Sequence, residues 1–201
     1  MRKLGARSLK IGLLALAMAL LPRAALAHAE KGAAAGFVTG FRHPLSGWDH
    51  ILAMISVGLW GAQLGIPAIW LLPVTFPMMM AIGGFLGLVG VPLPGVEIGI
   101  ALSAIVLGLM AAIEAKPKLP IAMAMVAVFA LFHGHAHGSE LAPGTSALAF
   151  SLGFVIATGC LHGVGISIGL VHGRPAGRQI VRAAGALIAA AGAFFLWRAV
   201  R

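Results

Sequence analysis

The stretch LPIAMAMVAVFALFHGHAHG, residues 119–138, decides the fold class of this chain. From Leu119 to Phe132 it contains no charged side chain, and its whole length matches the ~20 residues that a helix needs to cross a bilayer. Histidines then alternate with small residues at its end. Because ionisable groups are costly beside hydrocarbon, histidines that continue an apolar run usually serve a function. The stretch therefore predicts a membrane-spanning helix that carries, at one end, a cluster of imidazoles with a functional role.

The rest of the chain has the same apolar character. Of its 201 residues 60% are hydrophobic and 9% are charged, and the mean hydropathy is +1.02. This composition excludes a soluble domain, and the 28 glycines suit helices that pack closely in a membrane. Five of the 14 basic residues lie in the first 27 positions, so the net charge of +9 does not indicate a nucleic-acid-binding surface. A single cysteine, Cys160, excludes an internal disulfide.

Residues 1–27 have the pattern of a secretory signal peptide. Basic residues extend to Lys10, an apolar segment covers Ile11–Leu21, and Ala25-Leu26-Ala27 forms a small-x-small cleavage site. The alternative is an uncleaved anchor, since the apolar segment approaches spanning length. Cleavage would make His28 the new N-terminus, where its amine and imidazole together could chelate a metal ion.

Beyond this segment the apolar runs predict six membrane spans, separated by breakers such as Gly65-Ile66-Pro67 and Lys116-Pro117-Lys118. The expected spans lie near 47–65, 67–89, 95–114, 119–138, 144–170 and 179–198. We therefore expect an all-α membrane protein, with one domain over residues 28–201 that forms a bundle of about six transmembrane helices after a cleaved signal peptide.

The distribution of basic residues predicts the orientation of these spans. A cleaved signal peptide places the mature N-terminus in the periplasm, and the spans then alternate in direction. The connections expected inside carry most of the basic residues, namely Lys116, Lys118, Arg174, Arg178 and Arg182. Those expected outside carry Arg42, and the external C-terminus with Arg198 and Arg201 is the exception. The pattern agrees with the positive-inside rule and predicts a multi-pass protein of the bacterial inner membrane.

A first cluster of potential ligands, HPLSGWDH at residues 43–50, precedes the first span. Its proline and glycine predict a turn, after which Asp49 and His50 occupy the first turn of a helix. His43 can fold back over that end. Two imidazoles and a carboxylate are good ligands for a borderline divalent ion. The alternative is that Asp49 only caps the helix and His43 is an interfacial residue.

A second cluster ends the fourth span. His133 and His137 are four residues apart and share a helix face, which Glu140 can join three residues later. His135 points elsewhere, to a neighbouring helix or to the opening, and is a further candidate ligand. Histidines at this spacing are common in metal sites. The alternative is a short histidine-rich loop that only scavenges metal from solution. In the predicted orientation both clusters lie on the outer face.

Other polar residues carry weaker signals. His162 lies near the middle of the fifth span, where it is either a ligand on a pathway or a histidine satisfied by a backbone carbonyl. We expect Cys160 to be a small packing residue and His172 to be an ordinary loop residue. Glu97 and Glu114 lie near span ends, and we expect both to face water.

These motifs resemble a known family. The residues His43-Pro44-x-x-Gly47-x-Asp49-His50, with the apolar residues that follow to Trp60, resemble the first signature of the HupE/UreJ family. The stretch from Phe132 to Glu140 resembles the second signature, with Ser139 as an extra residue relative to the shortest form. Order, spacing, leading signal peptide and span number fit over nearly the whole chain.

The family is associated with hydrogenase and urease gene clusters, and its members are regarded as nickel, sometimes cobalt, permeases. The resemblance implies uptake of a divalent transition-metal ion, nickel first and cobalt second, in support of hydrogenase or urease maturation. It implies a ligand set of His43, Asp49, His50, His133, His137 and Glu140. The expected partners are the ion itself, the lipid bilayer and, functionally, the accessory proteins of those enzymes. We expect no tightly bound cofactor and no enzymatic activity.

The residues themselves leave alternatives. Imidazole and carboxylate suit nickel, cobalt and zinc alike. The sequence contains no GxxxxGK[ST] motif for nucleotide binding, so facilitated diffusion is the simplest transport mechanism. A membrane-embedded zinc-dependent hydrolase is the main alternative, with Glu140 or Asp49 as its acid or base. A bis-histidine haem protein needs facing histidines deep in the bilayer, and His162 alone has a clearly deep position.

Overall fold

The computed structural model describes residues 33–142 and 144–201, and every regular element within them is helical. The predicted signal peptide and His28 lie outside the described residues. In chain order the α-helices are α1 Ala33–Arg42, α2 Trp48–Leu64, α3 Ala68–Leu88, α4 Val96–Ala112, α5 Leu119–Ser139, α6 Ala147–Gly169 and α7 Pro175–Ala199. Short 3-10 helices follow α1 and α6, at His43–Leu45 and Leu170–Gly173.

Each of the six predicted spans corresponds to one helix, α2 to α7. Four of the described helices are long and apolar enough to cross a membrane: α3, α5, α6 with its 3-10 extension, and α7. Helices α4 and α2 have 17 residues each, which is about 26 Å against a hydrocarbon core of about 30 Å. The all-α multi-pass bundle is therefore confirmed, and the count of six spans stays a prediction.

Helix α1 was not predicted, because its 10 residues are too few for a span. It packs along α6, where a methyl group on Gly40 would lie only 2.0 Å from the Phe150 carbonyl oxygen. The backbones of α1 and α6 therefore touch. This contact fixes the end of α1 at the end of the bundle, and the following 3-10 turn places His43 there.

Small residues bring the main helix pairs together in the same way. A methyl group on Gly134 of α5 would lie 2.0 Å from the Met80 carbonyl oxygen of α3, and one on Gly138 would lie 2.0 Å from that of Gly84. Lipid tails are as apolar as the side chains, so helices in a membrane associate largely through the van der Waals contact that such close backbone approach allows. The glycines of the histidine-rich motif are therefore the surface that holds α5 against α3.

The opposite end of the bundle is closed by side-chain hydrogen bonds to the end of α4. Trp60 Nε1 donates to the Ala115 carbonyl, and Gln63 Nε2 donates to the Ala111 carbonyl, each over 3.0 Å. The two acceptors lie in the last turn of α4 and in the loop that follows it. The two hydrogen bonds hold α2 against the end of α4 in addition to the apolar packing between the two helices.

Glu114 follows α4 in a left-handed backbone conformation with φ +56°. The expectation that this residue simply faces water is wrong. Its carboxylate accepts a hydrogen bond of 2.6 Å from Arg178 Nε, and His172 Nε2 lies 3.5 Å from its other oxygen. The Arg178 guanidinium holds the pKa of Glu114 below its ordinary value. His172 thus lies beside the Glu114–Arg178 ion pair, which joins the end of α4 to α7.

Candidate metal site

The two histidine clusters, far apart in sequence, meet at one end of the bundle. The ring centroids of His43 and His137 are 4.6 Å apart, and those of His50 and His137 are 4.7 Å apart. His50 also lies 5.1 Å from His133. Four of the predicted ligands therefore form one continuous group of imidazoles between α5, the start of α2 and the turn after α1.

Asp49 holds His50 in place at the start of α2. Its Oδ1 is 2.9 Å from both the backbone nitrogen and Nδ1 of His50. An Nδ1–H that donates to a carboxylate leaves Nε2 with a free lone pair, an arrangement found around metal-bound histidines. Gly47 leaves room for this pair, because a methyl group there would lie 2.6 Å from Asp49 Oδ1.

His133 is oriented by the backbone of its own helix. Its Nδ1 lies 2.9 Å from the Phe129 carbonyl oxygen, to which it donates. Its Nε2 is then the nitrogen with the free lone pair, as in His50. His137 follows one turn later on the same face, while Gly134 and Gly138 turn the neighbouring face toward α3.

Glu140 reaches back to the turn after α1. Its Oε2 lies 3.7 Å from His43 Nε2, so the additional Ser139 does not carry the carboxylate away from the cluster. His43, His137 and Glu140 each offer one ligand atom within 4.8 Å of the others. Burial lowers the pKa of His43, although the Glu140 carboxylate opposes this shift. A neutral imidazole is the form that binds a metal ion.

Buried ring nitrogens without hydrogen-bond partners make this group a candidate ligand site. Within residues 33–142 and 144–201, no group is hydrogen-bonded to Nε2 of His50, to Nε2 of His133 or to either nitrogen of His137. Buried polar atoms are rarely left unpaired, since each costs free energy. Solvent exposure decreases through the cluster: the Glu140 side chain is 59% exposed, the His50 side chain is 15% exposed, and His133 is buried.

Aromatic rings line the imidazole cluster. The ring of Phe154 lies 4.5 Å from that of His137, and the ring of Phe76 lies 5.4 Å from that of His133. Apolar walls lower the local dielectric constant and so strengthen interactions with a cation once ligands have replaced its water.

The remaining candidates lie apart from the cluster. His135 Nε2 is 2.7 Å from the Val91 carbonyl oxygen, so this histidine faces a connecting loop. His162 is buried deeper in the bundle, beyond Phe76. Cys160 is exposed on α6 and does not pack in the core, contrary to expectation.

The relation of Glu97 to this site was not predicted from the sequence. Glu97 is exposed, as expected for a water-facing residue, but it lines a cleft of about 350 Å³ together with Asp49 and Arg198. The available signal was its position, because Glu97 lies in the first turn of α4 as Asp49 lies in the first turn of α2. Two carboxylates thus share one opening beside the imidazoles.

The fold and this site define a multi-pass membrane protein with a cluster of imidazole and carboxylate groups between its helices. The sequence model described as HupE / UreJ protein matches residues 16–195, so the chain belongs to the HupE/UreJ family. The chain is 44% identical over 180 residues to Protein HupE of Rhizobium leguminosarum bv. viciae, covering 89% of this chain and 94% of that protein. No solved structure matches the chain. The predicted resemblance is confirmed.

Proposed function

We propose that the protein takes up a divalent transition-metal ion, nickel first and cobalt second, across the inner membrane. The observation that carries this proposal is the convergence of buried, unpartnered ring nitrogens from His50, His133 and His137. Neutral imidazoles suit nickel, cobalt and zinc better than they suit magnesium or calcium. Membership of a family regarded as nickel and cobalt permeases narrows the choice, and supply of hydrogenase or urease maturation is the corresponding role.

The order of exposure suggests the path of the ion through the site. Glu140 and His43 meet the hydrated ion first, because they are the most exposed ligands. His137 lies within ring contact of both His43 and His50, so the ion can exchange ligands without release. Several weak, overlapping positions allow selection and release together. The Asp49 carboxylate acts by orienting His50 and by adding negative charge at the opening.

Transport in this scheme is facilitated diffusion. The ion moves down its own gradient, which metal insertion into enzymes inside the cell maintains. The sequence has no GxxxxGK[ST] motif for nucleotide binding. We expect uptake to persist when an uncoupler collapses the proton gradient.

Uptake of radioactive nickel by cells that express the protein tests the proposal. We expect His50→Ala and His133→Ala to lower uptake roughly 10- to 100-fold, the range typical for damaged metal sites. The matched control is Cys160→Ala, because Cys160 is exposed on α6 and outside the cluster. Competition with cobalt and zinc ranks the metals. Unchanged uptake in both histidine variants, at equal amounts of protein in the membrane, would exclude this ligand set.

The zinc-dependent hydrolase makes a different prediction for the same purified protein. It requires tightly held stoichiometric zinc and hydrolysis of a lipid amide. A transporter is expected to exchange its metal rapidly and to leave the lipid intact.

A further inference from the structure

We propose that His162, Thr158 and the Pro73 carbonyl group form a second, deeper binding site for the transported ion. This inference rests on the proposed function, since it concerns the next position of the same ion along its path. The site lies between α3 and α6, on the inner side of the imidazole cluster.

The first support is a pair of unpartnered polar side chains. His162 is 1% exposed and Thr158 is 0% exposed. In the part of the chain that the structure describes, the two ring nitrogens of His162 and the hydroxyl oxygen of Thr158 have no hydrogen-bond partner. Because the two residues are four apart on α6, both side chains lie on one face. Each unpaired group costs free energy in a buried position, and a bound ion would offset that cost.

The Thr158 hydroxyl differs from several serine hydroxyl groups in these helices. Serine and threonine in a helix commonly donate to a carbonyl three or four residues earlier. Ser167, on the same helix, does so to the Gly163 carbonyl over 2.8 Å, and Ser56 donates to the Ala53 carbonyl over 2.6 Å. The Thr158 hydroxyl makes no such bond among the described residues, which leaves its oxygen available to a ligand.

The third donor comes from the proline pair in α3. Pro77 has no N–H, so the carbonyl four residues earlier, that of Pro73, loses its helical donor. This carbonyl group lies beside the His162 ring without the geometry of a hydrogen bond. The His162 imidazole thus adjoins the Pro73 carbonyl group, and Thr158 precedes His162 by one helical turn on the same face. An imidazole nitrogen and two neutral oxygens are a donor set suited to a weakly held divalent ion.

His135 shows how a buried histidine with a structural role differs. It is also buried in the bundle, but its Nε2 is satisfied by the Val91 carbonyl oxygen at 2.7 Å. His162 has no comparable partner within the described chain. Burial alone therefore does not account for the unpaired nitrogens of His162.

The position of the deeper site fits a path from the cluster. The Phe76 ring lies 5.4 Å from the His133 ring and 5.4 Å from the His162 ring. A single aromatic side chain thus separates the innermost ligand of the cluster from the deeper site. Transfer between the two positions requires this side chain to move, which keeps the two sites distinct.

Titration of the purified full-length protein with cobalt tests the inference. Equilibrium dialysis should give two bound ions per chain, a tighter one and a weaker one. We expect Thr158→Val and His162→Leu to weaken the second ion roughly 10-fold or more and to slow nickel uptake by cells, while the first ion stays bound. Thr158→Ser keeps the hydroxyl group and should behave as wild type, as should Cys160→Ala.

The outcomes separate this inference from the proposed function. If wild type neither binds cobalt nor takes up nickel, the proposed function fails. If wild type does both and the Thr158→Val and His162→Leu proteins bind two ions and take up nickel as wild type does, the deeper site alone is excluded. Should His162→Leu fail to fold, the Thr158→Val and Thr158→Ser pair still decides, because valine matches the shape of threonine without its hydroxyl group, whereas serine keeps the hydroxyl group.

Discussion

Replacing Gly134 by alanine tests whether backbone contact between α3 and α5 sets the geometry of the histidine cluster. The added methyl group would lie 2.0 Å from the Met80 carbonyl oxygen, whereas an ordinary contact starts at 3.4 Å. The difference between these two distances means that the helices must separate by about 1.4 Å at this point. The three nearest atoms on the α3 side are all backbone atoms, so no side chain can rotate to make room.

The cost should appear in both stability and metal binding. Overpacking of this kind costs typically about 1–3 kcal/mol. Gly134 is next to His133, so the same shift moves His133 relative to His50, which belongs to another helix. A displacement near 1 Å is enough to weaken a preorganised site, and we expect cobalt affinity to fall roughly 10- to 100-fold.

Thermal unfolding in detergent and cobalt titration of the Gly134→Ala protein measure the two effects. Gly159→Ala is the matched control, since a methyl group on this α6 glycine meets nothing within 4 Å. We expect the control to unfold and bind as wild type does. Wild-type stability and affinity in Gly134→Ala would refute the claim that this contact positions the ligands.

Other residues give independent predictions. Arg178 holds the pKa of Glu114 below its usual 4.5, so the pair stabilises fully above that pH and loses its effect as the pH falls through the lowered value. Glu114→Gln should therefore lower the melting temperature at neutral pH, and the difference from wild type should shrink in acid; a constant difference would argue against the ion pair. Trp60→Phe removes one hydrogen bond to the loop after α4 and should cost about 0.5–1.5 kcal/mol in thermal or chemical unfolding, and no loss would contradict that contact. His135→Gln should lower stability and leave cobalt affinity unchanged, because this histidine bonds to Val91; a large loss of affinity would place it among the ligands.

The positions of the helices could be predicted from the sequence because hydropathy is a local property. Long apolar runs broken by glycine and proline locate the helices to within a few residues, as the stretch from Leu119 shows. The basic loops then placed both histidine clusters at one end of the bundle. Their contact through His50 and His133 agrees with that placement.

The details of the site depend on contacts between distant segments, which local patterns do not encode. Helix α1 escaped prediction because its 10 residues are stabilised by close contact with α6, through Gly40. The partner of Glu114 lies 64 residues further along the chain, at Arg178. His135 and His162 looked equivalent as further ligands, and only their hydrogen-bond partners distinguish them.

Metal flux through the purified protein in liposomes tests the central claim most directly. Liposomes that contain a dye quenched by nickel or cobalt report influx without ATP or an imposed proton gradient. We expect rapid quenching with wild type and with Cys160→Ala, and quenching roughly 10- to 100-fold slower with His50→Ala and His133→Ala. Wild-type liposomes that quench no faster than empty ones, or histidine variants that quench as wild type does, would contradict transport through this cluster.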